Sequence, residues 1–144
     1  MATDPPAEQR RVELVAGGMA DWITGDREKT IGTFTDDIEV FVPPELGNAG
    51  SYRGIEEFRA WFAAWDEVWT DYKMEVKSME AAGERHVVAE VSNTGVGVGS
   101  GAEVGNTLGW VFSVDDSRRL DYLALMPDLE TAREHALERE RDEA

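Results

Sequence analysis

Residues 85–114 read RHVVAEVSNTGVGVGSGAEVGNTLGWVFSV: two strand-like arms, Arg85 to about Val98 and about Glu103 to Val114, joined at a glycine-rich stretch from Gly95 to Gly101. Strands also read upstream at Tyr72 to Glu80 and downstream at Arg119 to Met126, with turns at Ala82-Gly83 and Asp115 to Arg118. Connections that short force antiparallel neighbours. The glycines of the joint are expected as bends or bulges that let long strands curl. A phosphate-loop reading fails, because the run lacks the Gly-x-Gly-x-x-Gly spacing, a following Lys and a strand-to-helix setting.

Outward from these strands, the first half is helical. From Glu8 to Thr24 the residues Val12, Val15, Met19, Trp22 and Ile23 recur at helical spacing. Gly17-Gly18 in its middle costs about 1 kcal/mol per glycine against Ala, which close packing or room beside the helix would offset. Gly25-Asp26 stops this helix and caps a short one, Asp26 to Phe34. Asp37 to Val42 alternates as a strand ended by Pro43-Pro44, and a loop runs to Arg53. From Gly54 to Trp69, Ile55, Phe58, Trp61, Phe62, Trp65, Val68 and Trp69 form too wide an apolar arc for one-sided burial, so this helix is expected to roof the interior. Asp128 to Asp142 reads as a charged helix with a sparse apolar side, Leu129, Ala132, Ala136 and Leu137, fraying at its end. Helices followed by strands without alternation imply an α+β fold, a curved antiparallel sheet wrapped around a long helix as a cone with a mouth.

The 144 residues fit one domain, with its core from about residue 8 to 137 and flexible ends at 1–7 and 138–144. Such a chain buries about 68–70% of its extended surface. With 42% hydrophobic residues and five Trp there is volume for a core and a partly apolar cavity. Fourteen basic against 30 acidic residues give a net charge of −16. That charge repels nucleic acid and anionic lipid, so neither is an expected partner. The absence of cysteine excludes disulfides, thiolate chemistry and Cys-ligated metals. Met1 to Arg11 has no apolar leader and no run approaches membrane length, which makes the cytoplasm the expected address.

Gly25-Asp26, Val40 to Pro43, Tyr52-Arg53-Gly54, Gly99 to Val104, Trp110 to Val114 and Met126-Pro127-Asp128 occur in the order and spacing of a known family. On them the chain resembles, over about residues 8 to 137, the SnoaL-like branch of the nuclear transport factor 2 superfamily. The resemblance implies a cone with a ligand-sized cavity but no single reaction, since the superfamily spans polyketide cyclases, ketosteroid isomerase, limonene epoxide hydrolase and many pocket proteins. The isomerases' Tyr, basic Asp and second acid fall by spacing on Gly18, Val42 and Trp110. None of these performs that proton transfer. The epoxide hydrolases' final acid falls on Leu125, and Val91 and Asn93 stand where an Arg and an Asp would be wanted.

Strand alternation turns Val87, Ala89, Val91 and Asn93, then Leu108, Trp110 and Phe112, then Asp121, Leu123 and Leu125 toward the interior. Asp121 is the candidate acid/base and Asn93 the orienting donor, with pairing of Asp121 to Arg118, Arg119 or a helix end as the structural alternative. Gly18, Trp22, Val42, Trp61, Phe62, Trp65, Val91, Trp110, Leu123 and Leu125 are the candidate ligand contacts, the tryptophans reading equally as core. His86 and His135 are too far apart to converge on a metal and are expected to be solvated. No cofactor is expected. Tyr122, Ala124 and Met126 fall on the outer face, where an apolar surface points to a homodimer through the sheet. The function expected is a cofactor-independent isomerase, cyclase or hydrolase acting on a small, largely apolar organic molecule. The alternative is a non-catalytic ligand-binding or accessory domain.

Overall fold

The computed structural model describes residues 6–44, 50–67, 69–97, 101 and 103–142. Helix α1 (Ala7–Ile23) buries Arg11, Val15, Gly18 and Met19, the spacing of one helical face. Gly25, at φ +101°, ends it with a backbone conformation that other residues rarely adopt. The Asp26 side chain accepts from the Lys29 N–H at 3.3 Å and caps α2 (Arg27–Ile31). Strands β1 (Phe34–Val42) and β2 (Gly50–Arg53) and helix α3 (Ile55–Glu67) follow, then β3 (Trp69–Ala82), β4 (His86–Gly97), β5 (Glu103–Val114), β6 (Leu120–Met126) and α4 (Leu129–Asp142). Several boundaries differ from the sequence reading: the short helix stops at Ile31 instead of Phe34, and β1 starts at Phe34 instead of Asp37. β2 lies in the expected loop, and Trp69 leaves the helix to pair with Gly97.

The sheet order is β2-β1-β6-β5-β4-β3, antiparallel throughout except that β1 and β6 run parallel. Register slips within β3 and between Ser113 and Val114 mark where the sheet bends. β4 and β5 pair without a break from His86 opposite Ser113 to Val96 opposite Glu103. Toward β5, Gly95 is an ordinary ladder residue opposite Val104, but toward β3 the register slips between Thr70 and Lys73, opposite Gly95, so one irregularity does fall at the expected glycines, while residues 98–100 lie outside the described set.

The inner face of the sheet packs Val40, Val42, Val87, Ala89, Val91, Leu108, Trp110, Phe112, Leu123 and Leu125 against Val15 and Met19 of α1 and Phe58, Trp61 and Phe62 of α3. This is the parity expected from the sequence. The outer face is also apolar, but its cover is the chain's own α4: Ala132 and Ala136 pack on Val88, Val111, Tyr122, Ala124 and Met126. The surface from which a homodimer was inferred is thus already occupied, and the basis for that inference is removed.

Close approach makes this cover possible. A Cβ on Gly109 would stand 2.2 Å from the Asp128 carbonyl oxygen and 2.8 Å from the Ala132 Cβ. Instead of fraying from residue 138, α4 continues to Asp142, and its far end is bonded into the body. Glu140 accepts from the Glu84 and Arg85 backbone N–H groups at 2.8 and 2.9 Å. From the opposite side Arg11 reaches the same turn, donating to the carbonyls of His86 at 2.6 Å and Gly83 at 3.0 Å. Gly109→Ala should lower the unfolding free energy by about 1–3 kcal/mol, the usual effect of forcing a methyl group into a filled site. Urea denaturation measures this, and an unchanged midpoint would mean that α4 is not seated on β5.

Candidate functional site

α3 presents Phe58, Trp61 and Phe62 at i, i+3 and i+4, which places all three on the face turned to the sheet. Opposite them stand Trp110 and Phe112 of β5 and Leu123 of β6, and α1 contributes Val15, Gly18, Met19 and Trp22. Six of the sequence-derived candidates meet here: Gly18, Trp22, Trp61, Phe62, Trp110 and Leu123. The cavity they line, together with Thr30, Phe34, Phe58 and Leu120, measures only about 30 Å³. That is room for about one water. Aromatic edges fill the rest: Trp22 stands edge-to-face on Phe62 at 4.5 Å and on Phe58 at 5.7 Å, and Phe34 on Phe58 at 5.0 Å.

Beyond Trp22 lies a larger space. A cleft of about 440 Å³ at the mouth is lined by Trp22, Ile23, Arg27, Tyr72, Lys73, Met74, Glu75, Ser92 and Thr94. Trp22 lines both chambers and stands between them. It is braced by Arg27, whose guanidinium carbon lies 4.6 Å from the Phe62 ring centre and 5.1 Å from that of Trp22. Arg27 and Tyr72 escaped the sequence reading, because one follows a helix cap and the other lies among the first residues of β3, and only the fold brings them to one cleft.

The remaining candidates are placed differently. Val42, Val91 and Leu125 are buried in the same core but do not line the cavity. The Trp65 side chain lies outside the described residues. Asn93 is buried with its amide engaged: the Tyr72 hydroxyl donates to Oδ1, while Nδ2 donates to Asn106 Oδ1 at 3.2 Å and the Val91 carbonyl at 3.4 Å. It supports the cleft through Tyr72. Asp121 sits at the register slip of β6, where Leu120 pairs with Val114 and Tyr122 with Ser113. The slip hands the cavity-facing place to Leu120. Asp121 is half-buried off the cavity lining, and its Oδ1 is enclosed without a hydrogen-bond partner. The expected pairing does not form at that atom, and Arg119 Nη1 donates to the Phe34 carbonyl.

Both histidines depart from the solvated reading. His86 is fully buried: its Nδ1 lies 2.5 Å from Glu140 Oε2, and its Nε2 accepts from Arg139 Nε at 3.1 Å. An acceptor Nε2 fixes the neutral, Nδ1-protonated tautomer. The Arg139 guanidinium lies 3.5 Å over the Tyr122 ring, and the Tyr122 hydroxyl meets His135 Nε2 at 2.7 Å. His135 stacks on Phe41 and Tyr122. Burial pushes the Tyr122 phenol up to about 12. This network resembles a catalytic dyad on paper, but a fully enclosed His86 reaches no substrate, so its work is to fasten α4. Among the described residues no group of three His, Cys, Asp or Glu is placed to hold a metal ion. No described helix is long and apolar enough to cross a membrane.

Comparison with known proteins agrees with this architecture. The family model described as a SnoaL-like domain matches residues 15–121. A nuclear transport factor 2-like protein from Burkholderia thailandensis superposes with a TM-score of 0.75 at 20% identity, covering 88% of this chain and 96% of that one. A putative SnoaL-like polyketide cyclase from Jannaschia gives 0.72 at 20% identity, covering 91% and 94%. The epoxide hydrolase/cyclase-like enzyme SalBIII, of pyran ring formation in polyether salinomycin, gives 0.67 at 16% identity, covering 82% and 90%. Identities this low establish the fold alone. Comparison with curated proteins returns no match.

The network under α4 sets the acid limit of the fold. Burial, with the Arg139 guanidinium nearby, holds the His135 imidazole below its ordinary 6.5, so the unfolded chain takes up this proton first. The contribution of neutral His135 is present above that value and is lost as pH falls through the lower folded one. Burial raises Glu140, but the Glu84 and Arg85 N–H groups and His86 outweigh it and hold the carboxyl below 4.5. Its contribution is lost in a second, more acidic step. The melting temperature should fall between pH 7 and 5 and again below pH 4.5, and His135→Gln should make the first fall shallower. A profile flat from pH 7 to 5 would contradict this.

Proposed function

The chain belongs to the SnoaL-like domain family, and on that premise we propose that it is a pocket protein that takes a small, largely apolar organic molecule through the mouth cleft into the aromatic interior. The observation that carries this reading is the position of Trp22 between a cleft of about 440 Å³ and an apolar chamber of about 30 Å³. The cleft alone has the size of small-molecule sites, roughly 300–1,000 Å³. It displays Ile23, one of the few large apolar side chains left exposed. The inner chamber becomes ligand-sized when the Trp22 indole swings aside, and the space so vacated suits a molecule of indole dimensions. Two edge-to-face contacts at about 0.5–1.5 kcal/mol each resist that motion. An opening cost of about 1–3 kcal/mol lowers apparent affinity about five- to 150-fold but does not forbid entry.

Binding without chemistry is favoured because, among the described residues, the inner lining includes neither a carboxylate nor an imidazole. One observation supports the enzymatic alternative, acid/base isomerisation, cyclisation or hydrolysis: Asp121 has an enclosed, unpartnered carboxylate oxygen and follows Leu120 of the lining. Relatives described as a polyketide cyclase and an epoxide hydrolase/cyclase-like enzyme point the same way.

Calorimetry with 1-naphthol tests the binding reading. Wild-type protein should bind it, and Trp22→Leu, which removes the barrier, should bind about five- to 150-fold more tightly. Absence of binding, or equal affinity in both proteins, contradicts the reading. The enzymatic alternative is tested by mass spectrometry of aryl ketones incubated with the protein, where product formed by the wild type and abolished in Asp121→Asn would establish it over simple binding.

A further inference from the structure

Trp61 and Trp110 line the inner chamber from opposite layers, one on α3 and one on β5. They are 6% and 7% exposed. The Nε1–H of each is buried and has no hydrogen-bond partner. A buried donor left unpaired has lost its hydration with no replacement, and folded proteins leave few such groups. A second polar side chain of the chamber, the Thr30 hydroxyl, is already committed to the Gly18 carbonyl at 2.8 Å.

We infer that Trp61 and Trp110 are the polar contacts of the inner chamber, their Nε1–H groups donating to an acceptor oxygen of the bound molecule. A carbonyl oxygen has two lone pairs and can accept from both, and a molecule with two oxygens can engage one each. This rests on the proposed entry of a ligand behind Trp22 and narrows the ligand class. The molecule is neutral, has indole dimensions and carries a carbonyl, ether or phenolic oxygen at its buried end. A carboxylate is disfavoured, because no Lys or Arg lines the chamber to compensate a buried negative charge.

Acetophenone and α-methylstyrene test this, having the same shape but differing as C=O against C=CH₂. In ¹⁵N-labelled protein, acetophenone should move the Nε1–H resonances of Trp61 and Trp110 downfield while α-methylstyrene leaves them nearly in place. Acetophenone should also bind about five- to a hundredfold more tightly, the range for satisfying a buried unpaired donor. Trp61→Phe and Trp110→Phe should each shrink that preference. The wild-type spectra decide the matter even where a variant folds poorly. Equal affinities, or shifts confined to other indoles, overturn the donor role and leave entry behind Trp22 standing. Failure of both probes to bind removes the entry reading and this inference with it.

Discussion

The central strands β4, β5 and β6 are apolar on both faces, and each face must be removed from water. One face turns Val87, Leu108, Trp110 and Leu123 toward α1 and α3, and the other turns Val88, Val111 and Ala124 toward α4. The second cover is thin, built on alanines, so it works only because the helix comes very close. Gly109 permits that approach at one end of α4, and the Glu140 contacts with the β3–β4 turn hold the other. Polar residues that look functional in isolation, His86 and Arg139 among them, are spent on this fastening.

On the inner face the same demand for burial meets a competing one. Close packing of Trp22, Phe34, Phe58 and Phe62 stabilises the cone but leaves room for about one water. A fold that hosts ligands in its relatives therefore has its interior filled by its own side chains. Trp22 is the side chain best placed to yield, because it is half-buried, borders the mouth cleft and is held by edge contacts and Arg27. The unpaired indole donors of Trp61 and Trp110 remain deeper inside, where displacement is harder.

Much of the container was legible in the sequence because period-two patterning survives any packing partner: Val87, Ala89 and Val91 face inward as alternation requires. The same parity marked Tyr122, Ala124 and Met126 as an apolar outer face. What covered them was not legible, since Ala132 and Ala136 carry little hydrophobic signal and the decisive contact is the absence of a side chain at Gly109. Asp121 was misplaced for a definite reason: a one-residue slip before Tyr122 moves it off the cavity and puts Leu120 in its place. β2 is only four residues long and paired through tertiary contacts, so it left no periodic trace. Arg27, Tyr72 and the Glu140–His86 pair join residues distant in the chain and have no local signature.

A crystal structure of the protein grown with 1-naphthol most directly tests the proposal that Trp22 is a movable partition between the mouth cleft and the interior. The naphthol ring is expected in the space vacated by the Trp22 indole, in contact with Phe58 and Phe62, with Trp22 rotated toward the cleft. Naphthol confined to the surface, with Trp22 still edge-to-face on Phe62, would contradict that proposal.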